Sequence, residues 1–140
     1  MSTTGLEVFD RTIQTTNIWL DEIMESIGPD RQLAWRILST VTRKIRDCLP
    51  AGLAAHLSVQ LPLLVRGAYY EHYQPGHDQI RPESGQAFLD EIAAQLSDVR
   101  PINPANAFAT VVAVLERHVT GGEMDKVWQS LPKVVRGLWP

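Results

Sequence analysis

The run DRQLAWRILSTVTRKIRDCL, residues 30–49, decides the fold. Ala34, Ile37, Leu38, Val41, Ile45 and Leu49 recur at intervals of three and four, which gathers them on one face of an α-helix. Asp30 stands where a side-chain oxygen accepts from the free amides of a first turn, and Pro50 closes the run. Upstream, Ile18, Trp19, Ile23, Met24 and Ile27 form a second apolar stripe, stopped by Gly28-Pro29. The stretch Leu6 to Thr16 extends that helix towards the N-terminus. Downstream, Ala51 to Val59 reads as a shorter helix. After the break at Leu61-Pro62 another runs through Leu64, Val65 and Ala68 to about Tyr73. Residues 74–85 hold Pro75, Gly76, Pro82 and Gly85 among polar side chains and read as a linker.

Beyond the linker the pattern restarts. Ser84 caps a helix bearing Phe88, Leu89, Ile92 and Leu96. Asn103-Pro104 opens one bearing Phe108, Val111, Val112, Leu115 and Val119. Thr120 to Glu123 has the form of a capping box, followed by helices over Met124–Gln129 and Pro132–Trp139. Trp19-Leu20-Asp21-Glu22-Ile23 aligns with Phe88-Leu89-Asp90-Glu91-Ile92, and Leu61-Pro62 to Arg66-Gly67 with Leu131-Pro132 to Arg136-Gly137. The offset is 69 residues at the first pair and 70 at the second. The expected fold is therefore all-α, with about eight helices in two pseudo-equivalent four-helix repeats (18–73 and 87–140). They pack as one globular domain over 1–140, with the helices at 30–49 and 104–119 in the centre. The period exceeds that of common solenoid units.

Composition narrows the class. A chain of 140 residues with 44% hydrophobic and 21% charged residues can bury a core of its own. The net charge of −3 argues against nucleic acid as a partner. Cys48 is the sole cysteine, so no intramolecular disulfide is possible. The first residues lack a cationic and apolar leader pattern, and no apolar run is long enough to span a membrane. The expected location is the cytoplasm, with no membrane partner.

Several stretches together resemble one known family. They are Phe9-Asp10-Arg11-Thr12-Ile13-Gln14-Thr15-Thr16-Asn17 leading into Trp19-Leu20, Ala55-His56-Leu57 to Gln60-Leu61-Pro62, Arg66-Gly67-Ala68-Tyr69-Tyr70-Glu71, and the ending Leu131-Pro132 to Leu138-Trp139-Pro140. This combination is similar to the bacterial family catalogued as domain of unknown function 2267, over essentially the whole chain. The resemblance implies a small, helical, bacterial and usually stand-alone protein. It supplies no activity, substrate, cofactor or catalytic residue.

The richest polar stretch is Tyr69-Tyr70-Glu71-His72-Tyr73 with His77-Asp78 beyond it, a base, acids and phenols of the kinds used in proton transfer. His56 lies four residues from Gln60, on the same helix face. His56, Tyr69, Tyr70, Glu71 and His72 are the candidate ligand-binding residues if a cleft between the two halves holds a small molecule or substrate. Packing of an amphipathic helix end, with tyrosine rings buried and hydroxyls wet, is the preferred account of the tyrosine stretch, and an interface or solvent-facing position that of His56. No zinc or di-iron spacing is present, so no metal is expected, and no cofactor motif occurs. Cys48 has no activating partner in the sequence, and no catalytic residue stands out. Arg36, Arg43, Lys44 and Arg46 make the 36–46 helix basic, which leaves weak nucleic-acid binding as a third reading. Trp35 and Trp128 are the candidate partner-binding residues, because tryptophan leads the residue types that anchor interfaces. Arg66 and Arg136, each before a glycine, are expected to be structural, paired with Asp21-Glu22 and Asp90-Glu91 or with helix-end carbonyls. The leading expectation is a non-enzymatic interaction module that binds another protein or itself.

Overall fold

The computed structural model describes residues 2–140. Its eight helices are α1 (Glu7–Ile27), α2 (Arg31–Asp47), α3 (Ala51–Ser58), α4 (Leu63–Tyr70), α5 (Gly85–Gln95), α6 (Pro104–His118), α7 (Gly121–Ser130) and α8 (Lys133–Arg136). The start signals read from the sequence act as expected. Asp30 accepts from the Leu33 amide, Ser84 from that of Ala87, and Asn103 from those of Ala105 and Asn106 ahead of Pro104. Gly28 ends α1 at φ +102°, a backbone conformation that side-chain-bearing residues rarely adopt.

α2 is the hub. It packs against α1, α4, α5 and α6, so its burial extends well beyond one stripe, to Ser39, Thr40, Thr42 and Arg46. Thr42 manages this by returning its hydroxyl to the Leu38 carbonyl at 2.7 Å. α6 lies against α1, α2, α5 and α7, while α3 meets α7 and α8 meets α5. All eight elements share one apolar cluster. In its second half Phe88 meets Phe108 edge-on at 5.5 Å, and Phe108 meets Trp139 at 5.9 Å. Pro62 and Pro132 take nearly the same backbone form at the starts of α4 and α8, φ −55° with ψ near 150°.

Residues 7–16 continue α1 without a break, as the sequence reading expected, which makes it the longest helix. Other details depart from that reading. Ile18 belongs to no buried stripe: it points to solvent, and the buried face of α1 is Thr12, Thr16, Trp19, Leu20 and Ile23. The capping box at α7 is half-formed. Thr120 accepts from the Glu123 amide, but its own N–H donates to Gln60 Oε1 at 2.8 Å instead of to Glu123. Gln60 thus ties the end of α3 to the start of α7, and Glu123 Oε1 is left buried with no partner.

Candidate interaction surface

The residues expected to line a ligand cleft do not converge. His56 is exposed on α3. Tyr69 is fully buried, and its hydroxyl donates to the Ala54 carbonyl at 2.8 Å. Burial pushes that phenol far above its ordinary range, which removes it from proton transfer. The Tyr70 hydroxyl meets Ser58 Oγ at 2.9 Å, and its ring packs between those of Tyr69 and Tyr73. Glu71 and His72 turn outward beyond α4, with His72 at φ +60°. His72, His77 and Asp78 share a recess of about 160 Å³ with Asp47. Among the described residues no three His, Cys, Asp or Glu side chains gather closely enough to hold a metal ion.

The basic face of α2 is bound up within the protein. Arg43 Nε donates to the Ala68 carbonyl, and Arg46 Nη1 to those of Tyr69 and Glu71, so these two guanidiniums cap the end of α4. Arg46 also pairs with Asp47 and lies 5.0 Å from the Tyr73 ring centroid. Arg36 makes a two-pronged contact to Asp98, and Lys44 reaches Glu91. Arg66 takes the helix-end solution and not the acidic one, donating to the carbonyls of Ser58, Val59 and Leu61 at the end of α3. Arg136 lies over the Trp128 indole at 5.3 Å, with its Nε buried and unbonded. The acidic pairs serve elsewhere. Asp21 holds Arg31, Glu91 holds Lys44, Asp90 accepts from Gln86, and Glu22 receives both Arg117 and His118, whose ring stacks on Trp19.

The unspent surface is apolar. Between α1 and α4 runs an open groove of about 500 Å³, floored by Leu20, Trp35 and Ala68 and walled by Ile13, Leu63 and Leu64. Ile13 is 42% exposed, Leu63 46% and Leu64 45%, with Phe9 at 47% one turn before Ile13. Leu20 and Trp35 also floor a wider cleft of about 710 Å³, rimmed by Arg31, Arg36 and Arg100. Asp21, Asp98 and Asp30 already hold those three guanidiniums, so an anionic ligand would have to displace carboxylates. Trp35 therefore sits half-buried where the two depressions meet. Trp128 is 41% exposed and belongs to a separate groove of about 580 Å³ with Met124 and Trp139.

The sequence reading set Leu64 on the packed face of its helix, but the structure leaves it 45% exposed. It passed over Ile13 and Leu63, although a signal was there. Phe9, Ile13, Thr16 and Leu20 follow helical spacing through the stretch treated as a mere extension. Leu63, Leu64 and Val65 fill consecutive positions of a first turn, and one turn cannot turn all three inward.

A family model described as an uncharacterized conserved protein (DUF2267) matches residues 16–138. The match takes in Trp35, Leu63 and Leu64 but begins after Phe9 and Ile13. It is therefore narrower than the resemblance read from the sequence, which drew on Phe9 to Asn17. No curated protein matches the chain.

Proposed function

The chain belongs to the DUF2267 family, and on that premise we propose that it is a protein-interaction module whose docking surface is the apolar groove between α1 and α4. One observation carries this reading: Ile13, Leu63 and Leu64 stand in solvent around a floor of Leu20, Trp35 and Ala68. A contiguous apolar surface with polar residues at its rim is the usual mark of an interface. Asn17 and Glu71 supply that rim here. The groove is open, suited to a helix or extended segment more than to an enclosed small molecule.

The experiment compares tagged wild type, Leu64→Glu and Trp128→Glu as baits in lysate from the source cells. Each variant is first checked for unchanged helicity by circular dichroism. The expected result is a protein retained by wild type and Trp128→Glu and lost from Leu64→Glu. Capture that Leu64→Glu leaves intact would overturn the assignment of the groove.

A further inference from the structure

We propose that the groove formed by α7, the end of α6 and Trp139 binds a small organic cation, an alkylated ammonium ion held against indole rings and beside two carboxylates. This site is separate from the apolar groove between α1 and α4, and neither depends on the other.

α7 supplies one wall. Met124, Asp125 and Trp128 stand three and four residues apart, so they share a face of that helix. Met124 is buried beneath, while Trp128 leaves a large apolar ring in water. Glu116 from the end of α6 and Trp139 from beyond α8 complete the lining around about 580 Å³. That volume suits a small molecule.

Both rings are held in place. Trp139 Nε1 donates to Glu116 at 2.7 Å, and Phe108 meets the Trp139 ring edge-on. The Arg136 guanidinium lies 5.3 Å from the Trp128 ring centroid. Arg136 is no part of the groove lining, so it covers the side of the indole turned away and leaves the near side open. An aromatic face attracts a cation through its quadrupole, and indole does so best.

Charge selects the sign of the ligand. Glu116 and Asp125 are the charged residues of the lining, and among the described residues neither forms an ion pair. The bond from Trp139 is neutral and leaves the Glu116 charge uncompensated. At the offset of 70 that aligns the two halves of the sequence, Glu116 stands where the first half has Arg46. Arg46 lies 5.0 Å from the Tyr73 ring centroid, a cation of the chain's own set over an aromatic ring. The second half has a carboxylate at that position instead, and the groove side of its rings faces no cation of the chain. A bare ammonium group is strongly hydrated, whereas an alkylated one offers methyl groups to the indoles and Met124 and keeps its charge for the carboxylates.

The test is a titration of the isotope-labelled full chain with choline chloride, followed by NMR at the indole N–H signals and matched against sodium chloride. The Trp128 and Trp139 signals are expected to shift and to saturate by about 50 mM, with those of Trp19 and Trp35 unmoved. The uncharged analogue of choline, with a quaternary carbon in place of the nitrogen, should bind about fivefold or more weakly. Glu116→Gln combined with Asp125→Asn keeps an acceptor for Trp139 and removes both charges. It should weaken choline by about fivefold or more with native circular dichroism, and Trp128→Leu, read at Trp139, should do the same. An uncharged analogue that binds as tightly as choline would make the groove merely apolar and overturn the proposal. Shifts that sodium chloride reproduces, that fail to saturate, or that the doubly substituted protein leaves unchanged would overturn it as well.

Discussion

Replacing Arg46 by methionine tests whether the basic residues of α2 serve the fold. Arg46 is 4% exposed, and its donors satisfy the Tyr69 carbonyl at 2.6 Å and the Glu71 carbonyl at 2.8 Å. Methionine keeps most of the apolar stem and removes every donor. The Tyr69 carbonyl is buried and loses its charged partner, a cost of about 2 kcal/mol. The Glu71 carbonyl is part-buried, where water can replace the guanidinium, so its loss costs about 1 kcal/mol. The contact with the Tyr73 ring contributes about 0.5 kcal/mol more. The expected loss is then about 3.5 kcal/mol, and with a urea dependence of about 1.5 kcal/mol per molar the midpoint falls by about 2.3 M. Urea unfolding followed by circular dichroism measures this directly. Arg36→Met is the control, since its partner Asp98 is well exposed and the pair should contribute under about 1 kcal/mol. A midpoint for Arg46→Met within about 0.3 M of wild type would refute the reasoning and return the basic face to the surface.

Glu22 links α1 to α6 through Arg117 and His118. Partial burial raises its carboxyl, but the bonds from His118 and Arg117 outweigh this and hold it below the ordinary 4.5. Its contribution is thus present above that value and lost as pH falls through the depressed one. Urea midpoints for wild type should drop more steeply than those for Glu22→Gln as pH falls below the ordinary carboxylate range, and parallel curves would count against the link. Burial, aided by Asp47, pushes the Cys48 thiol up to about 12. Iodoacetamide at mildly alkaline pH should label it only in denaturant, and rapid labelling of the folded protein would show that the end of α2 opens. Arg66→Ala removes three donors from the end of α3, part of it wet, and should lower stability by about 2 kcal/mol in the same urea assay. A loss below about 0.5 kcal/mol would mean that water caps α3 equally well.

The helices were legible because their signals are local. The spacing from Ala34 to Leu49, the caps at Asp30, Ser84 and Asn103, and the stops at Gly28 and Pro50 each act within a few residues. The partners of charged groups were not legible, because they are set by which elements meet. Nothing near Arg43 or Arg46 in the sequence says that the end of α4 will lie beside them. Arg66 illustrates the difference: its structural character followed from its apolar neighbours, but its partner turned out to be the carbonyls of α3. The proposed docking surface was legible in part. Trp35 was singled out for its type, and it does line the groove. Leu64 was read as packed, and Ile13 and Leu63 escaped notice, because an exposed apolar residue looks like a buried one until its neighbours are known.

Photo-cross-linking in the source cells puts the docking surface to the most direct test. A benzophenone side chain is placed at Leu63 in the groove, and in separate proteins at His56 and His72. The account predicts a protein adduct from position 63, of two copies of this chain or of this chain with another protein, and none above background from positions 56 and 72. Adducts from position 56 or 72 with none from position 63 would contradict it.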